Sequence, residues 1–269
     1  MATPNDPQGN PAIAMVATSS ARLPDASKIL QAAESASQRK RGILGNLFSR
    51  GTGAANSPRW ENGNLVFSAR DAQLAVALMP APISWSELEG PCATAWWWPD
   101  ATKAMRRHTN HFLIALIGGT IEAVERRLML TQVVSTVASA ADSVGVYWGE
   151  GTLVHEPRAF TQMAAKARSN NIPGPLWIDV RVEQNDDGTL RCFTTGLAPL
   201  GFLEIEVEKS GLSQGDLAGF IGDTACYVVN QRLHIPDGNT MGRTQDEMYV
   251  VRHGPSMFDR PTVMRLEMA

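Results

Sequence analysis

His111-Phe-Leu-Ile-Ala-Leu-Ile-Gly-Gly119 is an unbroken apolar run closed by two glycines, and the helical pattern that follows it, Thr120 to Ala141, is the clearest in the chain. The run has the length of a buried strand. Upstream of it, Ala12–Thr18 reads as a second buried strand, and Pro24-Asp25 opens a helix through Ile29, Leu30 and Ala33. Leu65–Phe67 and Gln73–Met79, separated by Ser68–Asp71, read as a strand hairpin that Pro80 and Pro82 bring to a stop, because proline cannot donate to a ladder. A helix capped by Ser84 or Ser86 is then interrupted at Gly90-Pro91, and a second helix runs from Pro99-Asp100 to about Arg107. The order strand, helix, strand, strand, helix, strand is the split pattern of ferredoxin-like folds.

In the helix from Thr120, Ile121, Val124, Leu128, Val134, Val137 and Ala141 recur at three- and four-residue steps, which makes it long enough to join two lobes. Beyond it, Val144–Trp148 reads as a strand and Pro157 begins a helix through Phe160 and Ala164. Leu176–Val182 and Leu190–Thr195 flank Asn185-Asp-Asp-Gly188, a hairpin signal. Leu203–Val207 alternates apolar and acidic residues, so one of its faces is expected to be wet. Ser213-Gln-Gly-Asp216 starts a helix bearing Leu217, Phe220, Ile221 and Val228, and Met248–Val251 and Val263–Leu266 supply late strands. The expectation is an α+β fold of two related lobes, each a mainly antiparallel sheet with packed helices in the repeated split β-α-β pattern. The boundaries are a disordered arm at 1–11, a lobe at 12–119 with a mobile basic loop at 37–58, a linking helix at 120–143, and a lobe at 144–269.

Composition excludes several classes. The chain has 269 residues, 43% hydrophobic and 19% charged, with a formal net charge of −3, which gives no basic field for nucleic acid and no electrostatic pull toward a membrane. No apolar run approaches the ~20 residues that span a bilayer, and the N-terminal stretch lacks the basic-then-apolar order of a secretory signal. A cytoplasmic location is expected. Cys92, Cys192 and Cys226 are odd in number and far apart, so they define neither a disulfide framework nor a zinc ribbon.

Four of the seven tryptophans, Trp85, Trp96, Trp97 and Trp98, lie in one stretch of 14 residues. Each indole removes roughly 150–250 Å² from water when buried. Three adjacent side chains cannot all face one way on a helix, so at least one of Trp96, Trp97 and Trp98 points away from the main core. These four, with Glu204 and Glu206 of the acidic strand, are the candidate interaction residues.

Reactive constellations are sparse. His108 and His111 stand three residues apart, a spacing that suits a metal on one helical face, although one helix-terminal and one strand-entry histidine bonded to backbone explain them more simply. Glu150 and His155 straddle a turn and form a candidate acid/base pair. Gly118-Gly119 before a helix lacks the rest of a phosphate-binding loop and reads as a tight turn. No nucleophile elbow, zinc-protease helix or Cys-His pair is present, and no cofactor is expected.

The stretches Val76–Glu89, Trp97-Trp-Pro99, His111-Phe-Leu-Ile, Gly145-Val-Tyr-Trp-Gly149, Thr195-Gly-Leu-Ala-Pro-Leu-Gly201-Phe-Leu-Glu-Ile and Asp237-Gly-Asn-Thr resemble a bacterial family of unknown function, domain of unknown function 4261. The likeness runs from Ala12 onward, with the basic segment at 37–57 as a departure. It implies a bacterial cytoplasmic protein of immunity or adaptor type, connected with interbacterial toxins or secretion systems, whose partner is another protein such as a toxin or effector. The alternative is an enzyme or a small-ligand or metal-binding protein using the His/Glu groups between the lobes.

Overall fold

A computed structural model describes residues 11–38, 58–242, 247–258 and 260–268. The expected N-terminal arm and almost all of the basic loop lie outside the described residues. The chain divides into two units, one formed by residues 8–149 and 153–167, the other by 168–269 with 150–152.

The first unit holds a six-stranded antiparallel sheet in the order β2-β3-β4-β1-β5-β6, from β1 (Ala12–Thr18), β2 (Asn64–Ala69), β3 (Ala72–Met79), β4 (Asn110–Ile117), β5 (Ser143–Trp148) and β6 (Leu153–His155). Its helices are α1 (Ala26–Gln38), α2 (Trp85–Thr94), α3 (Ala101–Met105), α4 (Ala123–Ala140) and α5 (Pro157–Lys166). β3, β4, β1 and β5 stand in the ferredoxin-like order, with α1 crossing from β1 toward β3 and α4 from β4 toward β5.

The helix that the sequence assigns to linking two lobes is thus one of the two crossover helices of the first. Val124, Leu128, Met129, Leu130, Val133, Val134 and Val137 are all buried on α4, and a helix apolar around most of its circumference must be covered rather than bridge through water. The strand at Ser143–Trp148 accordingly pairs with β1 of the same sheet, Ala14 opposite Trp148 and Val16 opposite Val146. α2 also continues through Pro91 instead of breaking there.

Residues paired across antiparallel strands share a sheet face. One face, carrying Leu65, Val76, Ile114, Ala14 and Trp148, takes α1, α4 and α5, with Trp148 packed on Phe160 of α5 at 6.3 Å. On the opposite face α2 and α3 bury Ala17, Tyr147 and Val154 beneath Leu88, Cys92 and Met105. Gly145 makes that contact close: a Cβ there would stand 2.1 Å from the Met105 sulfur and 3.2 Å from the Trp98 ring.

The second unit holds α6 (Gly174–Trp177), β7 (Asp179–Gln184), β8 (Leu190–Thr195), β9 (Ile205–Ser210), α7 (Gln214–Gln231), β10 (Thr240–Gly242), β11 (Met248–Gly254) and β12 (Val263–Met268). The sheet order is β10-β11-β12-β9-β8-β7, with β9 and β12 parallel and the other pairs antiparallel. α7 starts on the Ser213 cap, whose hydroxyl accepts from the Asp216 amide at 3.2 Å. The two units share an α+β architecture but differ in wiring: the first is a doubly split β-α-β array, and the second has a single crossover with the β10–β11 hairpin inserted into it.

Candidate functional site

The tryptophan stretch separates by direction. It lies where α2 ends and turns into α3, and its three adjacent indoles take three environments. Trp98 packs into the core against α2 and α3. Trp97 donates its indole N–H to the Val154 carbonyl at 3.1 Å and lies nearly parallel to His155, centroids 6.1 Å apart and planes at 27°. Trp96 is 78% exposed and meets Trp97 edge-on, 5.7 Å between centroids and 82° between planes. Trp85, at the start of α2, is half-buried beneath the Arg106 guanidinium, 3.8 Å from the ring centroid.

His155 is 1% exposed and also faces Phe160 at 5.8 Å. Trp96, Trp97, His155, Phe160 and Trp148 therefore form one chain of ring contacts from solvent to core. The indole at its outer end is held by a fixed neighbour rather than by a loose loop.

The other candidate groups are engaged in building the fold. Buried His108 accepts the Ile83 amide on Nε2 at 2.7 Å, and its Nδ1 lies against the Met105 carbonyl. His111 donates from Nδ1 to the Ala81 carbonyl at 2.8 Å, and burial pushes its pKa below the usual histidine value. The two rings thus pin Pro80–Ile83 to the end of the sheet, each through a backbone group. Glu150 is half-buried in a short 3-10 turn at Gly149–Gly151. Among the described residues no three His, Cys, Asp or Glu side chains come together to hold a metal ion. No described helix is long and apolar enough to cross a membrane.

Glu204 and Glu206 overturn the reading of a wet acidic surface. β9 lies inside its sheet between β12 and β8, and both carboxylates are buried. Glu204 accepts from the Thr194 hydroxyl at 2.6 Å and from the amides of Gly196, Leu197 and Ala198 at 2.9, 2.9 and 3.0 Å. Glu206 accepts from the Ser256 hydroxyl at 2.5 Å and the Met257 amide at 2.8 Å. Each carboxylate organises a loop of its own sheet, whereas Glu208, two residues further along β9, is exposed and bonded to Arg265 at 2.8 Å.

An open depression of about 470 Å³ lies at the β2–β3 turn and the start of α4. Its polar groups serve one another: Arg70 pairs with Glu125 at 3.0 Å, Asp71 accepts from the amide and hydroxyl of Thr120, and Glu122 caps α4. Gly118 and Gly119, at φ of 68° and 77°, make the tight turn into this helix. A Cβ on Gly119 would meet Asp71 at 2.8 Å. The glycine pair is a turn and not an anion cradle, since the first amide beyond it goes to Asp71.

The structural weight of Glu204 and Asp71 is absent from any spacing in the sequence. The one signal was the glycine pattern around them, Gly196 above all. It sits at φ 116° where a Cβ would lie 2.2 Å from the Trp177 carbonyl oxygen.

Residues 193–267 match the model of the family described as Domain of unknown function (DUF4261). The match runs from within β8 to within β12 and includes the Thr195–Ile205 motif folded around Glu204; the motifs quoted from the first unit lie outside it. No curated protein and no solved structure matches the chain.

Proposed function

We propose that this chain, with its DUF4261 segment, acts by non-covalent recognition of another protein, as an immunity or adaptor protein, and that Trp96 and Trp97 are its anchoring contact. The observation that carries this reading is the Trp96 indole, 78% exposed yet braced edge-on by a Trp97 ring that is hydrogen-bonded to Val154. An exposed indole held rigidly loses little conformational freedom on binding and offers a large apolar area, the properties of an interface hot spot. The engagement of both ring nitrogens of His108 and of Nδ1 of His111 by backbone groups supports the same reading, because it gives these rings a structural use. A cytoplasmic toxin or effector of a bacterial competitor, or a component of a secretion system, is the class of partner proposed.

The test is affinity purification of the tagged full-length protein from its native host, beside a Trp96→Ala variant of equal thermal stability. A stoichiometric protein partner that is retained by the wild type and lost by the variant is the expected result. Retention of the same partner by both, or a wild-type protein that comes away alone, contradicts the proposal.

A further inference from the structure

Lys103, Arg106 and Arg107 lie on α3 and just past its end, and all three are exposed. Several other cations of the chain meet a carboxylate: Arg70 pairs with Glu125, Arg191 with Glu183, Lys209 with Asp187 and Arg265 with Glu208. Among the described residues these three do not, although α2 and the turn beyond it carry Glu87, Glu89 and Asp100.

Arg106 differs from its two neighbours in being held. Its guanidinium carbon is 3.8 Å from the centroid of the Trp85 indole, a contact that fastens the end of a side chain otherwise free to sweep through water. Trp85 is itself packed on the cluster of Ala17, Leu88, Cys92 and Met105. The contact engages one face of the guanidinium and leaves its rim. Among the described residues none of the rim N–H groups makes a hydrogen bond.

A planar cation held in this way has its donors set out in a fork before any ligand arrives, and a carboxylate matches that fork with two parallel hydrogen bonds. The loss of side-chain freedom that weakens most exposed ion pairs has already occurred in the free protein. α2 sets the distance to the other anchor. Its ten residues, Trp85–Thr94, rise about 1.5 Å each, about 15 Å in all. Arg106 over Trp85 and the indole of Trp96 therefore stand at the two ends of one helix. A standard interface of about 800 Å² per partner is about 30 Å across and takes in both.

We infer that Arg106, stacked on Trp85, is the carboxylate-binding position of the recognition surface, and that the partner protein presents an Asp or Glu side chain to it, about 15 Å from the site that receives Trp96. The inference rests on the tryptophan contact for its partner, whereas the guanidinium fork is open to test without one.

The test is an NMR titration of the full chain with end-blocked hexaglutamate, read at the arginine Nε–Hε signals, that of Arg106 being assigned by its absence from Arg106→Gln. Saturable movement of the Arg106 signal is expected, larger than that of the exposed Arg22 and Arg252 and reversed by roughly 0.5 M salt. Arg106→Gln, followed at the backbone amides of α3, should weaken binding about threefold to fivefold, the scale of an exposed ion pair. Arg106→Lys should weaken it as much, because an ammonium keeps the charge and loses the fork. Trp96→Ala should leave the titration unchanged. Equal movement of all exposed arginines, or full binding by Arg106→Lys, overturns the inference. So does equal movement of the Arg106 signal under inorganic phosphate at the same concentration, which would make the site one for anions at large. Unchanged thermal unfolding of the Arg106 variants separates a lost fork from a lost fold. No partner is in the sample, so failure here is read apart from a failure of Trp96 to retain one.

Discussion

The two six-stranded sheets end their second faces in opposite ways. In the sheet of β7 to β12, α7 packs on one face, with Phe220 stacked on Tyr249 at 5.0 Å. The other face is laid out in ion pairs, Glu183 with Arg191, Arg265 with Glu208, and Arg265 with Glu267. Phe258 and Arg260 add to that face, Phe258 on Phe193 at 4.4 Å and Arg260 bonded to Thr194 and Thr195. In the sheet of β1 to β6 the second face buries Ala17, Tyr147 and Val154 beneath α2 and α3, and over β2, β3 and β4 its outward positions mix Val66, Ala75, Ala115 and Ile117 with the uncharged polar Asn64, Ser68 and Gln73. A face of paired charges is finished against water, while an apolar one is finished when another surface covers it, as α2 and α3 cover β1, β5 and β6. Two units of one chain, each with a six-stranded sheet, thus finish their second faces differently: one sheet is self-sufficient through its own ion pairs, and the other relies on packed helices.

The largest effect that sharpens this contrast lies in the self-sufficient sheet. Glu204→Ala strips the partner from three backbone amides and a hydroxyl, and each buried donor left unpaired costs about 1–3 kcal/mol. Urea unfolding should show a loss of about 3 kcal/mol or more. A loss below about 1 kcal/mol, the range of surface substitutions, would return Glu204 to the interaction surface that its alternating sequence suggests.

Next comes Gly145→Ala in the first sheet, which drives a methyl into the Met105 sulfur and toward Trp98. Overpacking of this kind costs about 1–3 kcal/mol, and the displaced Trp98 should shift the intrinsic fluorescence. If stability and emission are both unchanged, α3 does not press on the sheet as described.

Smaller still is Arg265→Ala, which removes two ion pairs on a partly exposed face. Such pairs contribute about 0–1 kcal/mol each, so stability should fall by about 1 kcal/mol or less, and less again in high salt. A large salt-insensitive loss would mean that the charged face is a covered one.

The gentlest tests are chemical. Burial holds the Cys92 thiol up at about 11 and Cys192 at about 12. At pH 8 both should resist a thiol reagent in the native protein and react once it is unfolded. Native reaction of Cys92 would show that α2 lifts from the sheet. His111 should titrate below the ordinary histidine value by NMR, because burial disfavours its charged form. Since the unfolded chain then binds the extra proton, this contribution to stability is present above about pH 6.5 and is lost as pH falls through the lower folded value. An unshifted or raised His111 value would show the ring open to water.

Much of the fold is legible in the sequence because it rests on local period. The apolar runs at Ala12–Thr18 and His111–Ile117, the hairpin at Asn185–Gly188 and the Ser213 cap all lie where their patterns place them. The ownership of β5 was not legible. Its partner β1 is about 130 residues earlier, and nothing in Val144–Trp148 says which sheet it joins. The divergence of Trp96 and Trp98 followed from their adjacency alone. The burial of Glu204 and Glu206 did not, because an alternating acidic strand has the same period whether water or a loop meets its carboxylates. Here the loops at Gly196–Ala198 and Ser256–Met257 supply the donors, and Gly196 is the one hint of it in either loop.

The central claim, that Trp96 and Trp97 form the recognition surface, is tested most directly by hydroxyl-radical footprinting of the protein alone and in the complex recovered from its host. Trp96 should be among the most heavily oxidised side chains in the free protein and be protected several-fold in the complex, with oxidation at the charged face of the second sheet unchanged. Equal oxidation of Trp96 in both states, with protection confined to the second sheet, would contradict the account.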